Sequence, residues 1–182
     1  MIKRYVLFLI IVLTSFNTYA QSSRFSGWFM SMNTFKVSPR TSIHLDAQLR
    51  SDDNWKNAET LIIRPGLNVH VNKSTTLSFG YAFIEGWRNI GSVRGGLAEH
   101  RIWQQLIAAH PVGKFTLNHR FRLEERFIPQ GGLSGGEVVR TNTLYSTRLR
   151  YFFRSVIPVP NKAPFTSGAF MAVQNEAFVN LT

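Results

Sequence analysis

The residues best equipped for chemistry sit on alternating positions of one short run. Arg120, Arg122, Glu124 and Arg126 share one face of the stretch from Phe115 to Phe127, while Phe115, Leu117, Phe121, Leu123 and Phe127 share the other. Such a ladder of like charges repels unless carboxylates or bound anions lie among it. Two readings follow. Glu99, Glu124 and Glu176 can close salt bridges that fill and rigidify an interior, or an excess of Arg50, Arg64, Arg101, Arg126, Arg148 and Arg150 can select anionic solutes. With Gln105, these twelve residues form the candidate charge network. A hydrolase would need a serine, a histidine and an orienting partner. Ser42 and His44 lie two residues apart on one face, and His119 and Glu125 share another, with no serine near His119 on its strand. The five histidines show no H-x-x-x-H metal spacing. Gly95-Gly96 and Gly131-Gly132 lack the strand-to-helix context of a phosphate loop. No metal, cofactor or catalytic residue is assigned.

Period-two alternation of this kind puts side chains on opposite faces of a strand, whereas a helix would scatter both sets around its circumference. It recurs along the chain. Ile43, Leu45, Ala47 and Leu49 alternate with His44, Asp46, Gln48 and Arg50. Leu77, Phe79, Tyr81 and Phe83 alternate with Thr76, Ser78, Gly80 and Ala82, and Leu149, Tyr151 and Phe153 with Arg148, Arg150 and Arg154. Eight strands are predicted near 25–36, 40–51, 57–71, 75–88, 98–110, 114–128, 138–157 and 165–181. Ser38-Pro39, Asn72-Lys73-Ser74 and Gly113-Lys114 predict tight turns. Asn89 to Gly96 and Pro129 to Gly136 predict longer glycine-rich loops, and Pro158, Pro160 and Pro164 fill the last gap. The expected fold is an all-β, antiparallel up-and-down barrel in one domain, residues 21–182.

Residues 1–20 differ from the rest. Lys3 and Arg4 precede an apolar run from Tyr5 to Leu13, and Tyr19-Ala20-Gln21 offers a small residue at a cut. This is the order of a secretory signal peptide, cleaved between Ala20 and Gln21. The run is too short for a membrane anchor, which needs roughly 20 apolar residues. With no cysteine, a lipoprotein signal is excluded. Without Lys3 and Arg4 the net charge of +11 falls to +9. An exported chain of that charge points to anionic headgroups or anionic solutes rather than nucleic acid.

Alternation alone does not say which face is inside. Three features favour a transmembrane barrel over a soluble periplasmic barrel that binds an apolar ligand. The strands reach roughly 10 residues or more, enough to cross a bilayer at a tilt. Arg and Glu occupy mid-strand positions. Charged residues are only 17% of the chain and aromatics 13%, so a greasy surface needs covering. Tyr81, Trp87, Trp103, Tyr145 and Tyr151 would suit interfacial girdles. The expected partners are outer-membrane lipids, anionic solutes and the barrel-assembly machinery.

Several blocks resemble the domain-of-unknown-function family 2490: Arg64-Pro65-Gly66-Leu67, Gly80-Tyr81-Ala82-Phe83, Glu99 to Leu106, His119 to Phe127, Arg148-Leu149-Arg150-Tyr151 and Asn175-Glu176. The resemblance spans roughly residues 25–182. It implies an exported, barrel-forming protein of Bacteroidetes-like bacteria with no established activity. Glu125 stands where the family usually has Gln, and Asn175 where it has Asp. The family pattern continues past Asn175-Glu176, and Leu181-Thr182 is not the aromatic end usual for such barrels. The sequence therefore predicts a larger native barrel in which 25–36 and 165–181 are open edges; the alternative is that these two strands pair and close a small one. The functional expectation is an outer-membrane barrel, structural or narrowly conducting, reached by the Sec pathway. The alternative is a lipid-modifying hydrolase. Short first, third and fifth connections would leave the longer loops on the side of the N-terminus, an inversion of the usual asymmetry.

Overall fold

The computed structural model describes residues 25–52, 55–113, 115–159 and 167–181. Its eight strands are β1 (Trp28–Ser38), β2 (Thr41–Asp52), β3 (Asn57–His70), β4 (Thr75–Ile90), β5 (Val93–Val112), β6 (Phe115–Ser134), β7 (Glu137–Pro158) and β8 (Phe170–Asn180). They form one sheet in chain order, every neighbour antiparallel. The sheet is an up-and-down meander whose ladder runs from β1 to β8 without closing. No helix occurs among the described residues. The proposed signal segment, with its Ala20–Gln21 junction, lies outside them.

The two expected long loops are strand. β5 begins at Val93 and β6 runs on to Ser134, so Gly95, Gly96, Gly131 and Gly132 pair in ladders. Glycine here makes room for neighbours rather than for a loop. A Cβ at Gly95 would strike Val138, one at Gly131 would meet Ile90 and Leu97, and one at Gly132 would meet Thr141. The real turns are two-residue hairpins at Gly91–Ser92 and Gly135–Gly136. Both glycines of the second have positive φ, 60° and 81°, the conformation that matches the twist of the flanking strands. The expected loop asymmetry disappears with this correction: two-residue connections occur at both ends of the sheet, between β4 and β5 and between β6 and β7 at one end and between β1 and β2 at the other.

The sheet curls strongly. Flat strands stand about 4.8 Å apart, which would separate β2 from β5 by roughly 14 Å. Yet the rings of His44 on β2 and Trp103 on β5 meet edge-on with centroids 6.5 Å apart. Two glycines permit this. Gly66, Gly80 and Trp103 pair in one cross-strand row, and a Cβ on Gly66 or Gly80 would come within 2.6 Å of the indole. The β3–β4 pairing also skips Arg64 and Pro65. Proline has no N–H to donate, and the Tyr81 carbonyl instead accepts from Trp103 Nε1 at 3.2 Å. Trp103, only 2% exposed, packs with Ile62, Ala82 and Ile84 as the apolar core.

Most of the other large apolar side chains lie on the convex face. Phe29, Phe35, Ile43, Leu49, Ile63, Leu77, Phe79, Tyr81, Ile102, Phe121, Phe127, Tyr145, Leu149, Tyr151, Val173 and Val179 are all exposed there. The buried polar residues Ser42, Asp46, Gln48, Ser78, Arg122 and Glu124 lie on the other, concave face.

Candidate functional site

Register brings all twelve residues of the expected network onto the concave face. β5 contributes Glu99, Arg101 and Gln105; β6 contributes Arg120, Arg122, Glu124 and Arg126; β7 contributes Arg148 and Arg150; β8 contributes Glu176. Arg50 on β2 and Arg64 on β3 complete the set. Alternation fixes the face, and antiparallel pairing then sets Arg101 opposite Arg126, Gln105 opposite Arg122, Arg122 opposite Arg150 and Glu124 opposite Arg148.

Four carboxylates separate these cations. Glu99 binds two guanidiniums in the same manner: Arg101 and Arg126 each donate from Nε at 2.7 Å and from Nη2 at 3.2 Å. Glu124, 2% exposed, holds three. Arg150 Nη1 lies 3.2 Å from Oε1, Arg122 Nη1 3.7 Å from the same oxygen, and Arg101 Nη1 3.5 Å from Oε2. Glu176 joins Arg120 and Arg150 at 2.8 and 2.7 Å. Arg120 reaches it from two strands away, across the ring of Phe152, whose centroid is 4.8 Å from the guanidinium. Asp46 pairs with Arg64 at 3.1 Å and accepts from Gln48 Nε2 at 2.9 Å on both oxygens. Side-chain amides and rings meet some of the remaining donors, while Arg120 Nε and Arg150 Nε are buried without a hydrogen-bond partner among the described residues. Gln105 Oε1 accepts from Arg122 Nε and Nη2, at 2.9 and 2.6 Å, and the same guanidinium lies 5.2 Å from the centroid of Trp103.

The result is a cross-strand lattice rather than a set of isolated pairs. Shared, bidentate contacts of this kind fix side chains that would otherwise gain little from a single surface pair. Cations still outnumber acids on this face. Among the described residues no carboxylate lies within ion-pair distance of Arg50, Arg148 or Arg154. Arg148 Nε instead donates to Asn180 Oδ1 at 2.9 Å and the guanidinium covers Phe178, while Arg50 covers Trp28 and donates to Gln48 Oε1. The concave cavity, about 610 Å³, is lined by residues of β1 to β7.

The candidate charge network left out Asp46, His44, Trp103 and Arg154, although alternation places them on this face. It also paired Ser42 with the wrong histidine. Ser42 Oγ lies 3.0 Å from Nε2 of His70 on the next strand, and His70 Nδ1 lies 3.1 Å from Thr76 Oγ1. A hydroxyl, not a carboxylate, occupies the orienting position, and Asn68 Nδ2 donates to Ser42 Oγ at 3.2 Å. A neutral hydroxyl can orient the imidazole but does not supply the negative charge with which an Asp stabilises the imidazolium. His119 lies on the convex face with Glu125, and its partner is the Tyr151 hydroxyl at 2.9 Å. Tyr81 and His100 form a second hydrogen-bonded pair on that face. No group of three or more metal-binding side chains occurs among the described residues.

A family model described as "Protein of unknown function (DUF2490)" matches residues 25–182. No curated protein and no solved structure matches the chain. The sequence blocks that carry the resemblance are the ones that converge here. Gly66 and Gly80 seat Trp103, and Glu99, Arg101, Arg122, Glu124, Arg126, Arg150 and Glu176 build the lattice.

Proposed function

The chain belongs to the DUF2490 family, and from that premise we propose that it is a non-enzymatic outer-membrane β-barrel protein. It reaches the membrane through the Sec pathway after cleavage behind Ala20. Its concave face is the lumen, and the arginine–carboxylate lattice rigidifies that lumen and leaves at most a narrow, cation-lined passage.

One observation carries this reading: the distribution of side chains is inverted relative to a water-soluble sheet. Phenylalanine, leucine and isoleucine cover the convex face, exposed, while glutamate and arginine are buried on the concave one. In water, exposed apolar patches of this extent invite association. In a bilayer they are the solvated surface, and the charges belong in the lumen. Strand lengths of 11 to 22 residues suffice to cross hydrocarbon at a tilt. Backbone groups in hydrocarbon must all be paired, so in the membrane the β1 and β8 edges are joined to each other or to further strand. The soluble ligand-binding barrel requires the opposite placement of apolar side chains. The hydrolase reading has the weaker support, because the Ser42–His70–Thr76 arrangement includes no acid.

The test is fractionation of cells expressing the full chain, with mass spectrometry of the recovered protein. A mature chain beginning at Gln21, in the outer-membrane fraction and resistant to carbonate extraction, is the expected result. A chain beginning at Met1, or a soluble periplasmic protein, would refute the proposal.

A further inference from the structure

The concave face is not polar throughout. On β1 it carries Trp28, Met30 and Met32, which are 59%, 48% and 61% exposed. These side chains do not join the convex apolar belt. They point into the same cavity as Arg120, Arg122 and Arg150. Alternate residues on a strand stand roughly 7 Å apart, so the stripe runs about 14 Å from Trp28 to Met32. Arg50 pairs with Trp28 across β1 and β2, and its guanidinium lies 4.7 Å from the indole centroid. It marks the end of the stripe, and among the described residues no carboxylate neutralises it. Among the described residues its side chain makes one hydrogen bond, from Nη2 to Gln48 Oε1 at 3.3 Å, a small share of its five N–H donors.

We infer that the stripe is a binding site for a single-chain amphiphile with an anionic headgroup, a carboxylate or phosphate. The headgroup is received by Arg50 and the acyl chain lies along Trp28, Met30 and Met32. Charge argues for the anion. The opposite wall of the cavity holds more arginines than acids, so the field over the stripe is positive and rejects a cationic chain. Shape argues for one tail: the cavity of about 610 Å³ falls in the range of small-molecule sites. Methionine suits a flexible chain because its unbranched thioether adapts to varied contacts. The inference rests on the barrel reading in taking the concave face as the lumen.

The test uses the full chain in nanodiscs of zwitterionic phosphatidylcholine, with tryptophan fluorescence as the readout. Terminally brominated dodecanoate quenches an indole only in contact. The expected result is saturable quenching near one ligand per chain, lost in Trp28→Phe. Affinity should fall about tenfold in Arg50→Gln and in Met32→Asp, both at exposed positions outside the lattice; tenfold corresponds to about 1.4 kcal/mol. Dodecyl phosphate should compete, whereas dodecanol, acetate and inorganic phosphate should not. Competition by dodecanoate alone would assign the site to carboxylates, and competition by both to the shared anionic group. Quenching that rises without saturation, or equally in all variants, reports partitioning into the bilayer and overturns the inference. Equal competition by dodecanol does so too. Trypsin protection reads insertion separately. Loss of binding in an inserted chain overturns the site alone, whereas a chain that stays outside the bilayer overturns the barrel reading and the site with it.

Discussion

The indole of Trp103 lies edge-on against the imidazole of His44, three strands away, with ring centroids 6.5 Å apart. The indole spans β4 and β3 to reach it, lying over Gly80 and Gly66 on the concave side of the sheet. The curl depends on side chains that are missing, because Gly66 and Gly80 leave the floor on which the indole rests.

Gly80→Ala should therefore loosen the whole sheet. The added methyl would stand 2.6 Å from the Trp103 ring and 2.7 Å from Gly66 Cα, and closer still to the Pro65 carbonyl oxygen. Two of these neighbours are backbone and cannot swing aside. A loss of about 1–3 kcal/mol is expected from overpacking, read as a lower urea midpoint of the chain folded in lipid. Gly113→Ala supplies the contrast, since its Cβ would meet nothing within 4 Å; its cost should come only from its positive φ of 57°.

Glu124→Gln should be more damaging than its isosteric size suggests. The carboxylate is buried among Arg101, Arg122 and Arg150. Neutralising it leaves three guanidiniums with no common counter-charge, and removal of one partner from a buried ionic cluster costs about 3 kcal/mol or more. Urea titration in lipid gives the value. A shift under 1 kcal/mol would mean that water, not Glu124, compensates these cations.

The strands and the faces were legible in the sequence because alternation is a local property. The ladder Arg120, Arg122, Glu124, Arg126 and its apolar counterpart settle both at once. The partners were not legible. That Glu99 bridges Arg101 and Arg126 depends on the register of β5 against β6, and that Ser42 meets His70 rather than His44 depends on β2 against β3. Register is fixed by contacts far apart in sequence. The glycine pairs misled for a related reason. Gly95-Gly96 and Gly131-Gly132 read locally as loop, but their missing side chains accommodate Val138, Leu97 and Thr141 from other segments. Trp103 was legible as an aromatic at a membrane girdle and proved to be the buried hub of the curl.

Substitution on the convex face separates bilayer from water as its solvent. Phe79 and Phe121 are exposed on that face. If it faces lipid, Phe79→Arg or Phe121→Arg should cost about 2–4 kcal/mol near the midplane. If it faces water, the same changes should be close to neutral and improve solubility. Unfolding from phospholipid vesicles distinguishes the two.

The most direct measurement of the central claim is accessibility of single cysteines in intact outer membranes, in a chain that has no cysteine of its own. A membrane-impermeant maleimide is offered to Phe79→Cys and Phe121→Cys on the convex face, and to Thr34→Cys and Asn68→Cys, which line the concave cavity. The account predicts labelling of Thr34→Cys and Asn68→Cys with protection of the two convex positions until the membrane is dissolved in detergent. Rapid labelling of Phe79→Cys and Phe121→Cys in the intact membrane would contradict it, because the apolar face would then be in water.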